Sequence, residues 1–165
     1  MGVAGQRGAG IRPSLGCAAQ ARTALVDVRS FPVSVKGVAV QRGRVLLLKN
    51  ERDEWELPGG KLELGEEPPA CVMRELREET GWEVSVGPIL DCWQYHVGDG
   101  RVVVIVTYGC HVTSNGPPVV SSEHSQATLF SPAEIPALTM PDGYKRSVQT
   151  WCGLLAGTSE GRGTG

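Results

Sequence analysis

Glu75, Glu78 and Glu79 stand at i, i+3 and i+4 in a stretch from Ala70 to Thr80 that holds no helix breaker. In a helix that spacing places all three carboxylates on one face. Glu75 and Glu79 are then like charges one turn apart, a cost of roughly 0.2–0.5 kcal/mol in an isolated helix. Arg74, four residues before Glu78, offsets part of that cost. A hard divalent cation offsets it more directly: Mg²⁺ takes carboxylate and carbonyl oxygens and keeps positions open for substrate phosphates. The Gly59-Gly60 pair lies just upstream and offers backbone carbonyls. The competing reading is a solvated acidic helix with a few i,i+4 ion pairs.

The elements around these residues are legible. Pro68 and Pro69 suit the first turn of a helix, where a missing N–H costs nothing, and Gly81 suits its C-terminal stop. Val72, Met73, Leu76 and Thr80 fall on a neighbouring, buried face. Leu64-Gly65-Glu66 makes a turn before the helix, and Trp55 to Pro58 makes a short extended segment before the glycines.

The full spacing is more specific. Gly60, five residues, Glu66, seven residues, Arg74-Glu75-Leu76, one residue, Glu78-Glu79, one residue, Gly81 and an apolar residue extend over 23 positions. This resembles the signature box of the Nudix hydrolases (MutT-like proteins), with Trp82 in place of the usual aliphatic residue. The resemblance implies an α/β protein with the Nudix fold, a mixed β-sheet sandwiched between helices. It implies hydrolysis of a nucleoside diphosphate linked to another group, by attack of water on phosphorus, with Mg²⁺ (or Mn²⁺) as cofactor. Glu75, Glu78, Glu79 and the carbonyl of Gly59 then hold metal, Arg74 orients Glu75, and Glu66, Gly60 and Gly81 support the motif. Such enzymes also use a glutamate from a downstream loop, and Glu123 in Glu123-His124-Ser125-Gln126 stands in one. Glu75 and Glu123 both remain candidates for the base.

Other site candidates are weaker. Trp55, Trp93 and Tyr95 could stack on a base or sugar, although core packing is the commoner role for each. Lys61 could meet a phosphate or simply be solvated. His96, His111 and His124 share no ligand-like spacing and read as ordinary surface or core residues.

The chain has 165 residues, 41% of them hydrophobic, and a formal charge of −2. That suffices for one domain with a core and argues against nucleic-acid or anionic-membrane partners. No apolar run approaches the ~20 residues of a membrane span. Five scattered cysteines without a C-x-x-C pair indicate free thiols and a cytoplasmic setting. Residues 1–30, rich in Gly, Ala and Arg, read as a mobile tail without a secretory pattern. Residues 31–156 read as the Nudix domain and 157–165 as a disordered tail. Strands are expected at Val33–Val40, Arg44–Leu48, Glu83–Val86, Ile89–Val97, Arg101–Val112 and Ala127–Phe130. Gly87-Pro88 is expected to turn the chain, Ser131–Glu134 to open a helix, and a closing helix to run from Tyr144 to Leu155. The substrate is expected to be a small nucleotide, either a triphosphate or a nucleotide-sugar-like diphosphate, because downstream markers for ADP-ribose and dinucleoside polyphosphates are missing. The sequence leaves a homodimer open. A nucleotide sensor that binds without cleaving is the alternative, although it would be free to lose the glutamates retained here.

Overall fold

The computed structural model describes residues 30–98 and 100–160, with side chains described to residue 158. The tail readings for residues 1–29 and 161–165 lie outside these bounds. Seven strands form one mixed sheet: β1 (Val33–Gln41), β2 (Arg44–Lys49), β3 (Trp55–Glu56), β4 (Gly59–Lys61), β5 (Val84–His96), β6 (Val102–Val112) and β7 (Gln126–Phe130). Helix α1 (Pro68–Thr80) covers one face, and α2 (Asp142–Glu160) covers the other.

The sheet order is β3-β2-β1-β6-β5. Strand β1 runs parallel to β6 from Val33↔Val104 to Val40↔His111 and antiparallel to the rest of its neighbours. Strands β1 and β2 pair beside their turn, at Val40↔Val45 and Gln41↔Arg44. Beyond it they part: β4 takes the edge of β1 from Ser34 to Lys36, and β3 takes the facing edge of β2 at Leu48 and Lys49, while β7 pairs with the outer edge of β2 from Val45 to Lys49. This split opens a cleft within the sheet and positions the site.

Alternation along β1 and β2 sorts the core. Val35, Ala39 and Leu46 pack with Val72, Leu76 and Trp82 on the α1 side. Val38, Val45 and Leu47 pack with Tyr144, Val148 and Trp151 on the α2 side. Close approach of α1 depends on Gly37, where a Cβ would sit 2.8 Å from Leu76 Cδ1. Trp82 is buried among the α1-side residues and its indole N–H donates to the Gly116 carbonyl at 3.1 Å, so it fills the apolar position that ends the box.

The structure differs from the sequence-based expectations in four places. Gly87-Pro88 does not turn the chain: β5 continues through it, with register shifts between Val86 and Asp91 against β6. An edge strand tolerates a proline at a bulge because its outer N–H groups need no partner. Strand β4 was not anticipated, since glycines carry little strand preference. Ser131–Glu134 forms a tight turn in which the Glu134 carboxylate accepts hydrogen bonds from the Ser131 N–H and Oγ, both at 2.7 Å, and a single 3-10 turn, Ile135–Ala137, follows. The closing helix is longer than expected at both ends, and its last turn passes through Gly157.

Candidate active site

The cleft between β1, β4, α1 and the loop before β7 is a groove of about 1000 Å³. Six carboxylates line it, those of Glu51, Glu56, Glu75, Glu78, Glu79 and Glu123, against the ammonium groups of Lys36 and Lys61.

Gly59 is its pivot. At φ 131° this residue occupies backbone space that side chains rarely enter, and a Cβ would run into the Val35 carbonyl and the Lys36 backbone. The strand-to-loop path is pinned by Gly37 N–H to Pro58 O at 2.9 Å and Leu62 N–H to Val33 O at 3.0 Å. The Gly59 N–H donates to Glu79 Oε2 at 2.8 Å, and the Gly59 carbonyl accepts from Lys36 Nζ at 2.5 Å. Gly60 lies against the Glu75 carboxylate, leaving no room for a Cβ.

Helix α1 carries the acids. Glu67 stands at its N-cap, the two prolines open it, and Gly81 closes it in the left-handed region at φ 69°, donating its N–H to Arg77 O. Arg74 binds Glu66 through two nitrogens, at 2.8 and 3.0 Å, Glu75 Oε1 at 2.8 Å and Glu78 Oε2 at 3.3 Å. Bidentate hydrogen bonding from Arg74 holds the Glu66 carboxyl well below the usual carboxylate range. Glu66 also accepts the Glu63 N–H, so it ties the turn before α1 to the helix.

Glu79 is different from its neighbours. It is 6% exposed, and burial pushes its carboxyl up to about 7 despite the opposing pull of Lys36, the Gly59 N–H and His124. Glu78 is exposed and Glu75 partly so. The helix face chosen by spacing therefore runs from core edge to solvent.

The loop 119–125 is fastened on both sides. Val119 N–H donates to Thr80 O and Ser121 N–H to Glu79 O on the α1 side, and Ser125 N–H donates to Lys49 O on β2. Glu123 is exposed at the groove rim. His124 turns inward instead: its side chain is 6% exposed, with Nε2 3.1 Å from Glu56 Oε1 and 3.7 Å from Glu79 Oε1.

Lys61 lines the groove, as a phosphate contact requires. Trp55 and Trp93 do not line it. The Trp55 and Phe130 rings meet in a T-shaped contact with centroids 4.7 Å apart, and the Trp93 and Tyr144 rings do so at 5.6 Å, so both tryptophans serve the α2-side core. Tyr95 borders a small adjoining depression that shares Asn50 and Glu56 with the groove.

Among the described residues no three His, Cys, Asp or Glu side chains converge as a ready-made metal cage. Hydrogen bonds from Arg74 and the Gly59 N–H hold the acids in place. The donor set nonetheless suits a hard divalent cation, because it combines carboxylates with a backbone carbonyl on which an ammonium already rests.

The family profile described as NUDIX domain matches residues 30–151, which include every one of these elements up to the middle of α2. The chain belongs to the Nudix family. A MutT-like protein of Streptomyces ambofaciens is 37% identical over 62% of this chain and 66% of its own length, just under two thirds. The CTP pyrophosphohydrolase of Escherichia coli K12 is 32% identical over 62% of this chain and 78% of that protein. A crystal structure of a MutT NUDIX hydrolase from Burkholderia pseudomallei superposes with TM-score 0.65 at 25% identity, covering 74% of this chain and 98% of that one.

Within this Nudix domain, Lys36, Glu56 and His124 are site residues that sequence reasoning missed. For Lys36 a signal existed: it is a charge inside the apolar run Val33–Val40. The partners of His124 come from β3 and α1, segments remote from it along the chain.

Proposed function

We propose that this Nudix family member hydrolyses a nucleoside diphosphate linked to another moiety, with Mg²⁺ or Mn²⁺ as cofactor and a small nucleotide as substrate. The observation that carries this reading is the gathering of Glu75, Glu78, Glu79 and Glu123 with the Gly59 carbonyl around one open groove. Glu75, Glu78, Glu79 and Gly59 O would hold the metal. When bound, such an ion polarises phosphoryl oxygens and lowers the pKa of water.

The chain supplies the positioning that phosphoryl transfer needs. Arg74 fixes Glu75 from the side, and the Gly59 N–H fixes Glu79 from below. In this reading Glu123, exposed on a fastened loop at the groove rim, takes a proton from an attacking water. Lys61, which lines the groove, meets a phosphate in the same reading. The name of the E. coli relative makes CTP one candidate substrate, alongside other triphosphates and nucleotide-sugar-like diphosphates. Buried, free Cys71 and Cys110 agree with a cytoplasmic setting.

The test is Glu123→Gln. Turnover with Mg²⁺ should fall by about 10²–10⁴, the usual share of a positioned base, with much less change in nucleotide affinity. Unchanged kcat from pH 6 to 9 would remove Glu123 from this role and leave Glu75.

A further inference from the structure

Lys36 is 7% exposed in the middle of β1, flanked by Val35, Gly37 and Val38. Lysine is almost never buried unless paired, and an aliphatic residue would suit the strand better. Its ammonium reaches the groove, where it donates to the Gly59 carbonyl at 2.5 Å and lies 4.0 Å from Glu56 Oε2. Two facts make this more than a counter-ion. The oxygen it occupies is the carbonyl assigned above to the metal, so ammonium and divalent cation compete for one acceptor. Among the described residues the groove wall is otherwise acidic and offers a polyanionic substrate few cations: the exposed Lys61, and Lys36, whose backbone is fixed within β1.

We propose that Lys36 is a substrate-phosphate residue held in reserve. It rests on Gly59 O while the site lacks metal, yields that oxygen when a divalent ion binds, and turns its ammonium to a non-bridging oxygen of the diphosphate. A lysine can do this because its point charge sits on a flexible stem and exchanges partners without a fixed fork geometry. The inference rests on the function proposed above.

Competition for the carbonyl and attraction to phosphate give opposite signs, and a merely structural role would not. Calorimetric titration of Lys36→Met with Mn²⁺ alone should show tighter binding than wild type, by about threefold to tenfold, because a competing hydrogen bond to a charged group is removed. Titration with imidodiphosphate at saturating Mn²⁺ should show binding weakened by about tenfold to a hundredfold, the loss of a charge-assisted bond. Lys36→Arg keeps the charge and should stay within about threefold of wild type for imidodiphosphate. Circular dichroism checks folding, and Lys36→Gln carries the same expectations should Lys36→Met not fold. Weakening of both ligands, or no change in either, would overturn the proposal. Wild-type protein that takes up no Mn²⁺ would overturn this inference and the proposed function together. Mn²⁺ binding in wild type that Lys36→Met leaves unaltered would overturn this inference alone.

Discussion

Replacing Glu79 by glutamine should stabilise the metal-free protein at pH 8 while abolishing the proposed metal-dependent hydrolysis. The Glu79 carboxyl is 6% exposed and its pKa is raised from 4.5 to about 7, chiefly by burial. Between these values the folded state binds more protons than the unfolded chain, so stability is fully present below pH 4.5 and is lost as pH rises through about 7. A rise of this size corresponds to about 3 kcal/mol at 1.36 kcal/mol per unit, as an upper bound once the groove hydrates. Glutamine is nearly isosteric, its carbonyl oxygen can still accept the Gly59 N–H, and it carries no charge to desolvate. The assay is urea unfolding of wild type and Glu79→Gln, dialysed free of metal, at pH 5, 6, 7 and 8. Groups that titrate alike in both proteins cancel in the difference. The advantage of the variant should be small at pH 5 and grow to about 1–3 kcal/mol at pH 8, and Mg²⁺ should narrow it by stabilising wild type alone. A difference that stays flat with pH, or a variant less stable at pH 8, would refute the assignment of a strained buried carboxylate.

Two further substitutions probe the scaffold. Arg74→Lys loses the two-nitrogen grip on Glu66 at 2.8 and 3.0 Å; stability should fall by about 1 kcal/mol and kcat by about tenfold, read by urea unfolding and single-substrate kinetics. Gly59→Ala forces a Cβ onto the backbone of β1 at φ 131°; unfolding should show a loss above about 2 kcal/mol, and an unchanged midpoint would disprove the tight approach.

What the sequence revealed was local. Helix α1 and the carboxylate face follow from residues within one continuous segment: prolines at the start, glycine in the left-handed region at the end, and i, i+3, i+4 spacing between. Resemblance of the whole spacing to the Nudix box then carried the fold. Lys36, Glu56 and His124 meet because β1, β3 and the loop before β7 converge, and no local periodicity reports a convergence of three separate segments. Strand β4 exists because β1 offers it an edge, which Gly-Gly-Lys does not announce. The same holds for Gly87-Pro88, whose effect depends on β5 lying at the sheet edge. Trp55 and Trp93 have the chemistry of stacking platforms, yet they pack on Phe130 and Tyr144. Residue type alone does not separate those roles.

The proposed activity is metal-dependent cleavage of a diphosphate bond at the groove formed by Gly59, Glu75, Glu78, Glu79 and Glu123. It is tested most directly by incubating the protein with a panel of nucleoside triphosphates and nucleotide-sugar-like diphosphates in heavy-oxygen water, with Mg²⁺ or with EDTA, and weighing the products. The expected result is cleavage between phosphoryl groups, one heavy oxygen on one phosphate product, and no reaction in EDTA. Nucleotide bound without cleavage, or cleavage undiminished by EDTA, would contradict it.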